Sequence, residues 1–272
     1  MVVPQRVAAG AHAIAVLGVV AAALAWAATV DYVPLTVIVD LMALTLAGIC
    51  WQARRIGMFG PTGNGVAAWL LRVGGYLLAA GLVLTCITWL RPSAEDNAGP
   101  LVVALVAACY LVGLATAFGR GSAATAPALV TAAGFGAAAA AVWLAGVLIV
   151  QTIPASIGPA LALMAVAAAV VSARNRDSSL LPALVAAITA ATLIVVLVWI
   201  LAKFGPAGLI PDLHPHALTP AARVAESRIE IHDPYVGVAF LGALLATALS
   251  VAGLVTRRPA AAHPTSAAAV TA

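Results

Sequence analysis

The sequence predicts an all-α membrane protein: a bundle of about eight transmembrane helices with both termini in the cytoplasm. Hydrophobic residues make up 64% of the chain and charged residues only 8%, against about a quarter charged in soluble proteins. The apolar residues fall into long runs, and at about 1.5 Å per residue such runs can cross the roughly 30 Å hydrocarbon core of a bilayer. Arginines collect in alternate loops between these runs, as the positive-inside rule requires.

The predicted spans follow one another along the chain. They cover residues 7–30, 33–52, 66–90, 101–118, 126–150, 155–173, 180–202 and 236–255. The first span follows Arg6 and carries Ala25 and Ala27 around Trp26 near its end, so it also resembles a signal peptide with an Ala-x-Ala cleavage site. Its apolar run is long for a signal peptide, which favours a retained helix.

The seventh span, residues 180–202, contains no charged residue. A helix that is apolar all round needs lipid or protein on every side. Arg174 and Arg176 precede this helix, whereas Trp199 and Lys203 lie at its far end, where an aromatic ring and a flexible amine suit the headgroup region. The polar loop 204–234 is therefore predicted on the extracytoplasmic side.

Charges orient the other loops in the same way. The loops predicted inside hold Arg6, Arg54, Arg55, Arg120, Arg174, Arg176, Arg257 and Arg258 against the single acid Asp177. The loops predicted outside hold the acids Asp31, Glu95, Asp96, Asp212, Glu226, Glu230 and Asp233 with fewer bases. Adding or removing one span would reverse every later loop, so the charges favour an even number of spans. The location expected is the plasma (inner) membrane, and the alanine-rich composition suits a bacterial genome.

The chain is predicted to form one polytopic domain over residues 1–258, followed by a disordered cytoplasmic tail over 259–272. The tail is rich in Pro, Ala, Ser and Thr, which cannot build a core. The net charge of +4 does not indicate nucleic-acid binding, because the basic residues form no run or stripe. Cys50, Cys86 and Cys109 all lie in apolar spans and indicate small buried side chains rather than disulfides.

Asp40 is the most informative single residue, because a carboxylate within a span costs roughly 2.5–3.5 kcal/mol on insertion scales. It is expected to face other helices or a cavity, where a carboxyl group can carry a proton or bind a cation. Tyr76 and Tyr110 are predicted at a similar depth and are candidates to hydrogen-bond it. The alternative is that Asp40 stays protonated and only joins helices through a hydrogen bond.

Two more polar residues lie near the predicted inner face. His12 and Arg72 are candidates to line an inner vestibule or to bind an anionic headgroup. Long or amphipathic side chains at such depths also simply extend to the interface, and that alternative stays open.

The outer loop concentrates groups that bind metals. His214, His216, His232, Asp212 and Glu230 offer imidazole and carboxylate ligands suited to Zn²⁺ or Cu²⁺. Their spacing matches no known metal signature, so a solvated lid is the alternative. Thr219 and Pro220 read as the N-cap and first residue of a short interfacial helix, on which Glu226 and Glu230 share one face.

Three classes of function follow from these residues. The first is a small transporter or permease for a solute or ion, with Asp40 on the route. The second is an accessory or assembly subunit of a larger membrane complex, with a protein partner at loop 204–234 and the lipid bilayer around it. The third is a metal-dependent membrane enzyme using the outer loop. The sequence contains no Gly-x-Ser-x-Gly or His-Glu-x-x-His motif, which favours a role other than catalysis, and it identifies no cofactor beyond the possible metal.

Overall fold

The structure is a computed structural model that describes residue 21 and residues 33–56, 65–89, 99–119, 122–174, 180–217 and 219–256. Apart from residue 21, the predicted first span lies outside the described residues, as do His12 and the predicted tail. The regular structure of the described part is entirely helical. It comprises α1 (Val33–Arg55), α2 (Val66–Trp89), α3 (Gly99–Ala117), α4 (Ala126–Val150), α5 (Gly158–Arg174), α6 (Leu181–Phe204), a 3-10 turn (Ala207–Leu209), α7 (Pro220–Glu230) and α8 (His232–Val255).

Seven of these helices fall on predicted spans, with ends that differ by a few residues. The largest difference is at α8, which begins at His232 rather than at residue 236, and α5 begins at Gly158 rather than at residue 155. Gln151 ends α4 in the left-handed conformation, with φ of 57°, and Pro159 occupies the first turn of α5, where its missing N–H costs nothing. Pro159 was therefore the local signal for the later start of α5, and the predicted span did not use it.

Four stretches of the described chain are long and apolar enough to cross a membrane. They are Val66–Thr85 in α2, all of α4, all of α6, and Pro220–Val255, which combines α7 and α8. Ala104–Ala117 in α3 and Gly158–Arg174 are apolar but shorter. These helices indicate association with a membrane, whereas the total of eight spans and the cytoplasmic termini stay predictions.

Helix α6 forms the centre of the bundle and packs against α2, α4, α5 and α8. Residues 181–195 are buried on almost every side, and Ala186, Ala190 and Ile194 have no exposed surface, whereas Ile200 and Phe204 near the other end are 40% and 69% exposed. Protein rather than lipid therefore surrounds most of this strongly apolar helix.

The helices around α6 turn large apolar side chains outwards. Leu41, Trp51, Trp69, Leu77 and Ile149 are each at least 60% exposed. Large exposed apolar surfaces are unfavourable in water, but a bilayer covers them, and the helices already satisfy their own backbone hydrogen bonds. The outer surface of the bundle is thus suited to lipid.

Glycines allow the closest helix contacts. A Cβ atom at Gly136 of α4 would lie 2.4 Å from the carbonyl oxygen of Ala186 in α6. A Cβ at Gly113 of α3 would lie 2.8 Å from the carbonyl oxygen of Ala246 in α8. Small residues at these positions let the backbones approach each other, so these glycines serve contacts within the chain.

One end of the bundle is defined by contacts between distant parts of the chain. The Ile153 N–H, in the turn between α4 and α5, donates to the Leu209 carbonyl oxygen at 2.8 Å. The Tyr235 hydroxyl, near the start of α8, donates to the Pro154 carbonyl oxygen at 3.0 Å. The ends of α4 and α6 and the starts of α5 and α8 therefore lie together, as the predicted alternation of these four helices requires. We call this the cap end.

Candidate functional site

Asp40 lies on the face of α1 that packs into the bundle. The buried residues Ala43 and Cys50 follow it at helical spacing, with 0% and 2% of their surfaces exposed, and α1 contacts α3 and α8. The Asp40 side chain is itself only partly exposed. The sequence-based expectation that this carboxyl group faces other helices agrees with its placement.

The environment of the carboxyl group is unusual. Its Oδ1 atom is buried and has no hydrogen-bond partner within the part of the chain that the structure describes. Burying a polar atom without a partner costs free energy, and the cost is larger for a carboxylate than for an amide or hydroxyl. Most buried polar atoms in proteins are paired, so this oxygen is free to accept a bond from a proton donor or to bind a cation.

The two tyrosines predicted near Asp40 occupy different environments. Tyr76 on α2 is 55% exposed and so faces away from the packed interior. Tyr110 on α3 is only 3% exposed, and its hydroxyl oxygen lies 1.8 Å from where a Cβ on Gly242 of α8 would be. Only Tyr110 therefore lies between helices, in the α3–α8 contact.

Arg72, a predicted inner-face residue, lies on α2 and is half-buried. Its predicted companion His12 is outside the described residues, so the vestibule proposed for the two residues stays a prediction.

The loop predicted outside folds into a unit that we call the cap: residues 205–217 together with 219–231. The prediction of its short helix is confirmed. Helix α7 begins at Pro220, and the Thr219 hydroxyl oxygen accepts a hydrogen bond from the Ala222 N–H at 3.1 Å. This satisfies one of the N–H groups that a helix start leaves unpaired.

His214 lies between the two glutamates that α7 presents on one face. Its Nε2 atom contacts the Glu230 carboxylate, and its Nδ1 atom lies 3.7 Å from Oε2 of Glu226. The three side chains are between 36% and 52% exposed. The spacing of the two glutamates, one helical turn apart, allows a single imidazole to contact both.

The remaining predicted metal ligands have other surroundings. Asp212 lies 3.8 Å from the Arg223 guanidinium, His216 is exposed, and His232 is half-buried at the start of α8. The described residues hold no group of three or more His, Cys, Asp or Glu side chains placed to bind a metal ion. Of the five predicted ligands, His214 and Glu230 come together.

Arg228 ties the cap to the bundle, a role that sequence reasoning missed. Its guanidinium donates to the carbonyl oxygens of Ala202 and Gly205, the latter at 2.7 Å. These carbonyls lie at the C-terminal end of α6, where groups lack helical partners and where the helix dipole favours a cation. The sequence did contain a signal for this role: Arg228 is a basic residue in a loop predicted outside, where basic residues are scarce.

Ser227 and Leu213 complete the connection between the two halves of the cap. The Leu213 N–H donates to the Ser227 hydroxyl oxygen at 3.0 Å, and Ser227 is fully buried.

The chain matches no protein-family model, no curated protein and no solved structure, so conclusions about its function rest on this geometry.

Proposed function

We propose that the protein is a small transporter or permease in which Asp40 carries a proton or binds a cation on the route of a small solute or ion. The observation that carries the proposal is the buried Asp40 Oδ1 atom, which has no hydrogen-bond partner among the described residues. A carboxyl group in a membrane helix is costly, and its cost is offset when a transported ion or proton completes its coordination.

The alternative of a purely structural Asp40 requires a hydrogen bond from this residue to a neighbouring helix. Several threonine hydroxyl groups buried in the described bundle bond within their own helices instead. Thr189, for example, donates to the Val185 carbonyl oxygen at 2.7 Å, and Thr247 donates to that of Ala243 at 3.0 Å. These two threonines therefore donate to their own helices and not to Asp40.

The test is the substitution Asp40→Asn, which keeps the shape of the side chain and removes its charge. The full chain is reconstituted into liposomes, and fluxes of H⁺, Na⁺ and K⁺ are followed with dyes trapped inside. We expect the flux carried by the unmodified protein to be abolished in the variant. The matched control Asp233→Asn removes an exposed carboxylate at the cap end and should leave the flux unchanged.

Thermal unfolding separates the two roles of Asp40. In the transport account, Asp40→Asn abolishes flux and leaves the unfolding temperature unchanged, because Oδ1 of Asp40 makes no hydrogen bond within the described residues that the substitution would break. Unaltered flux together with a lower unfolding temperature would assign Asp40 a structural role and remove it from the mechanism.

A second candidate function is that of an accessory subunit in a larger membrane complex. The observation that favours it is the exposed surface of α4, where Gly134 and Gly146 have no atoms within 4 Å of an added Cβ. Small exposed residues allow a partner's helix to approach closely. Purification in mild detergent distinguishes the two candidates: a fixed ratio to other subunits supports this one, and a chain isolated alone supports transport.

A further inference from the structure

The cap closes one end of the bundle with apolar side chains. Leu209, Ile210 and Ile231 belong to the cap and are no more than 9% exposed. They share one core with Ile153, in the turn between α4 and α5, and with Tyr235 of α8, both fully buried. We call these five side chains the plug.

The two halves of the cap are joined at the surface by charged side chains. One half, residues 205–217, contributes Asp212 and His214, and the other half contributes Arg223, Glu226 and Glu230 from α7. Asp212 pairs with Arg223, and His214 contacts both glutamates. We call these five residues the clasp.

The clasp and the plug each hold the first half of the cap only weakly. The clasp side chains are between 36% and 52% exposed, and exposed ion pairs are weak and screened by salt. The plug by itself is small, and among the described residues one backbone hydrogen bond, from Ile153 to Leu209, joins the first half of the cap to the turn between α4 and α5. Segments with few buried contacts open at lower free energy than the core of a protein.

The second half of the cap is held in a different way. Arg228 bonds the end of α6, and α7 continues almost directly into α8, since only Ile231 separates their ends. Helix α7 is therefore fixed to the bundle, whereas residues 206–217 are fixed mainly to α7.

We propose that residues 206–217 form a gate at this end of the bundle, and that the clasp sets how often the gate opens. In the closed state, which the structure shows, Leu209 and Ile210 fill the plug. In the open state this segment leaves α7, and Leu209 and Ile210 become accessible to water while the helices stay packed.

The gate is tested by the labelling rate of a cysteine in the plug. The full chain carries Leu209→Cys with Cys50→Ala and Cys86→Ala, and it retains Cys109, which is fully buried in α3. Reconstituted in nanodiscs, where both faces are accessible, it is treated with a water-soluble maleimide, and mass spectrometry reads the two cysteines separately.

Breaking the clasp should accelerate labelling at residue 209. We expect Glu226→Gln with Glu230→Gln to raise the rate about three- to tenfold, because the contacts of both carboxylates with His214 are weakened. Raising the salt concentration to about 1 M, where the Debye length is about 3 Å, should act in the same direction. Lys203→Gln, which removes a charge at the end of α6 outside the clasp, should leave the rate unchanged.

Each other outcome contradicts the proposal. An unchanged rate at residue 209 means that the clasp does not control the segment. Faster labelling at both cysteines means that the charges stabilise the whole bundle rather than a gate. Repeating the measurement with Ile210→Cys excludes a defect specific to the loss of Leu209. Since no transported solute is needed, the result is independent of the test on Asp40.

Discussion

At the scale of single residues, the buried polar groups of the bundle fall into two kinds. Thr116, Thr192 and Ser250 are buried and donate to the carbonyl oxygen one helical turn earlier, at 2.9, 2.8 and 2.9 Å. A hydroxyl group that bonds its own helix needs nothing from its neighbours. A carboxylate has no proton to donate in this way, so Asp40 requires a group from elsewhere. This difference in chemistry is why Asp40, and not the more numerous hydroxyl residues, carries the proposed function.

The contact between Tyr110 and Gly242 gives a prediction at this scale. Gly242→Ala places a methyl group 1.8 Å from the present position of the Tyr110 hydroxyl oxygen and 3.0 Å from Cζ, so α3 and α8 must separate or the ring must move. We expect a loss of about 1–3 kcal/mol in the free energy of unfolding, measured as a lower unfolding temperature in detergent.

A double-mutant cycle provides the control for this prediction. Tyr110→Phe removes the oxygen that the new methyl group meets, so it should recover part of the stability lost in Gly242→Ala. If the two effects simply add, the hydroxyl is not the source of the clash.

The sequence gives information on how far along a helix a residue lies, but much less on the direction in which its side chain faces. Depth follows from counting along a helix, which placed Asp40, Tyr76 and Tyr110 within the membrane. The orientation of a helix about its own axis is predicted from a stripe of polar or apolar side chains. Helix α2 has almost no such stripe, since the same residue type is exposed at Leu70, Leu77 and Leu84 and buried at Leu71 and Leu82. The sequence therefore could not predict that Tyr76 faces outwards, and the depth assigned to it stays a prediction.

At the scale of helices, small residues decide which contacts are close. α4 and α6 contact each other extensively, and an added Cβ at Gly136 would meet the backbone of α6 at Ala186. Gly134 is two residues away on the same helix but has nothing within 4 Å of an added Cβ. The two glycines are therefore a matched pair within one helix.

Gly136→Ala should destabilise the protein, because the new methyl group meets the Ala186 carbonyl oxygen and the Thr189 Cβ at 2.4 and 2.7 Å. We expect a loss of about 1–3 kcal/mol. Gly134→Ala should be neutral or stabilising by up to about 1 kcal/mol, because alanine favours the helix and meets no obstacle. Thermal unfolding of both variants checks this, and equal effects would contradict the packing of α4 on α6.

Helix ends with local signals were predicted better than helix surroundings. Thr219 and Pro220 predicted the start of α7, because helix capping depends only on neighbouring residues. Nothing local showed that residues 181–195 of α6 are enclosed by protein, because an apolar face is equally stable against lipid or another helix. The contacts that distinguish these cases, such as Gly136 with Ala186, join residues far apart in the chain.

At the scale of the whole molecule, the charges of the loops assign each end of the bundle to one side of the membrane. The cap and the turn between α4 and α5 lie at one end of the bundle, and the sequence assigns that end to the outside because acids prevail in its loops. The arginines at the ends of α1 and α5 belong to loops assigned to the cytoplasm. The direction of the gate and the side from which Asp40 is reached both depend on this assignment.

The orientation of the bundle is the central claim, and cysteine labelling in membrane vesicles tests it most directly. Ala225 on α7 and Ala173 near the end of α5 are both exposed, and each is replaced by Cys in a chain whose own cysteines are alanine. In right-side-out vesicles an impermeant maleimide should label Ala225→Cys and not Ala173→Cys, and in inside-out vesicles the reverse. Labelling of both positions from the same side, or of Ala225→Cys only from the cytoplasmic side, would contradict the account.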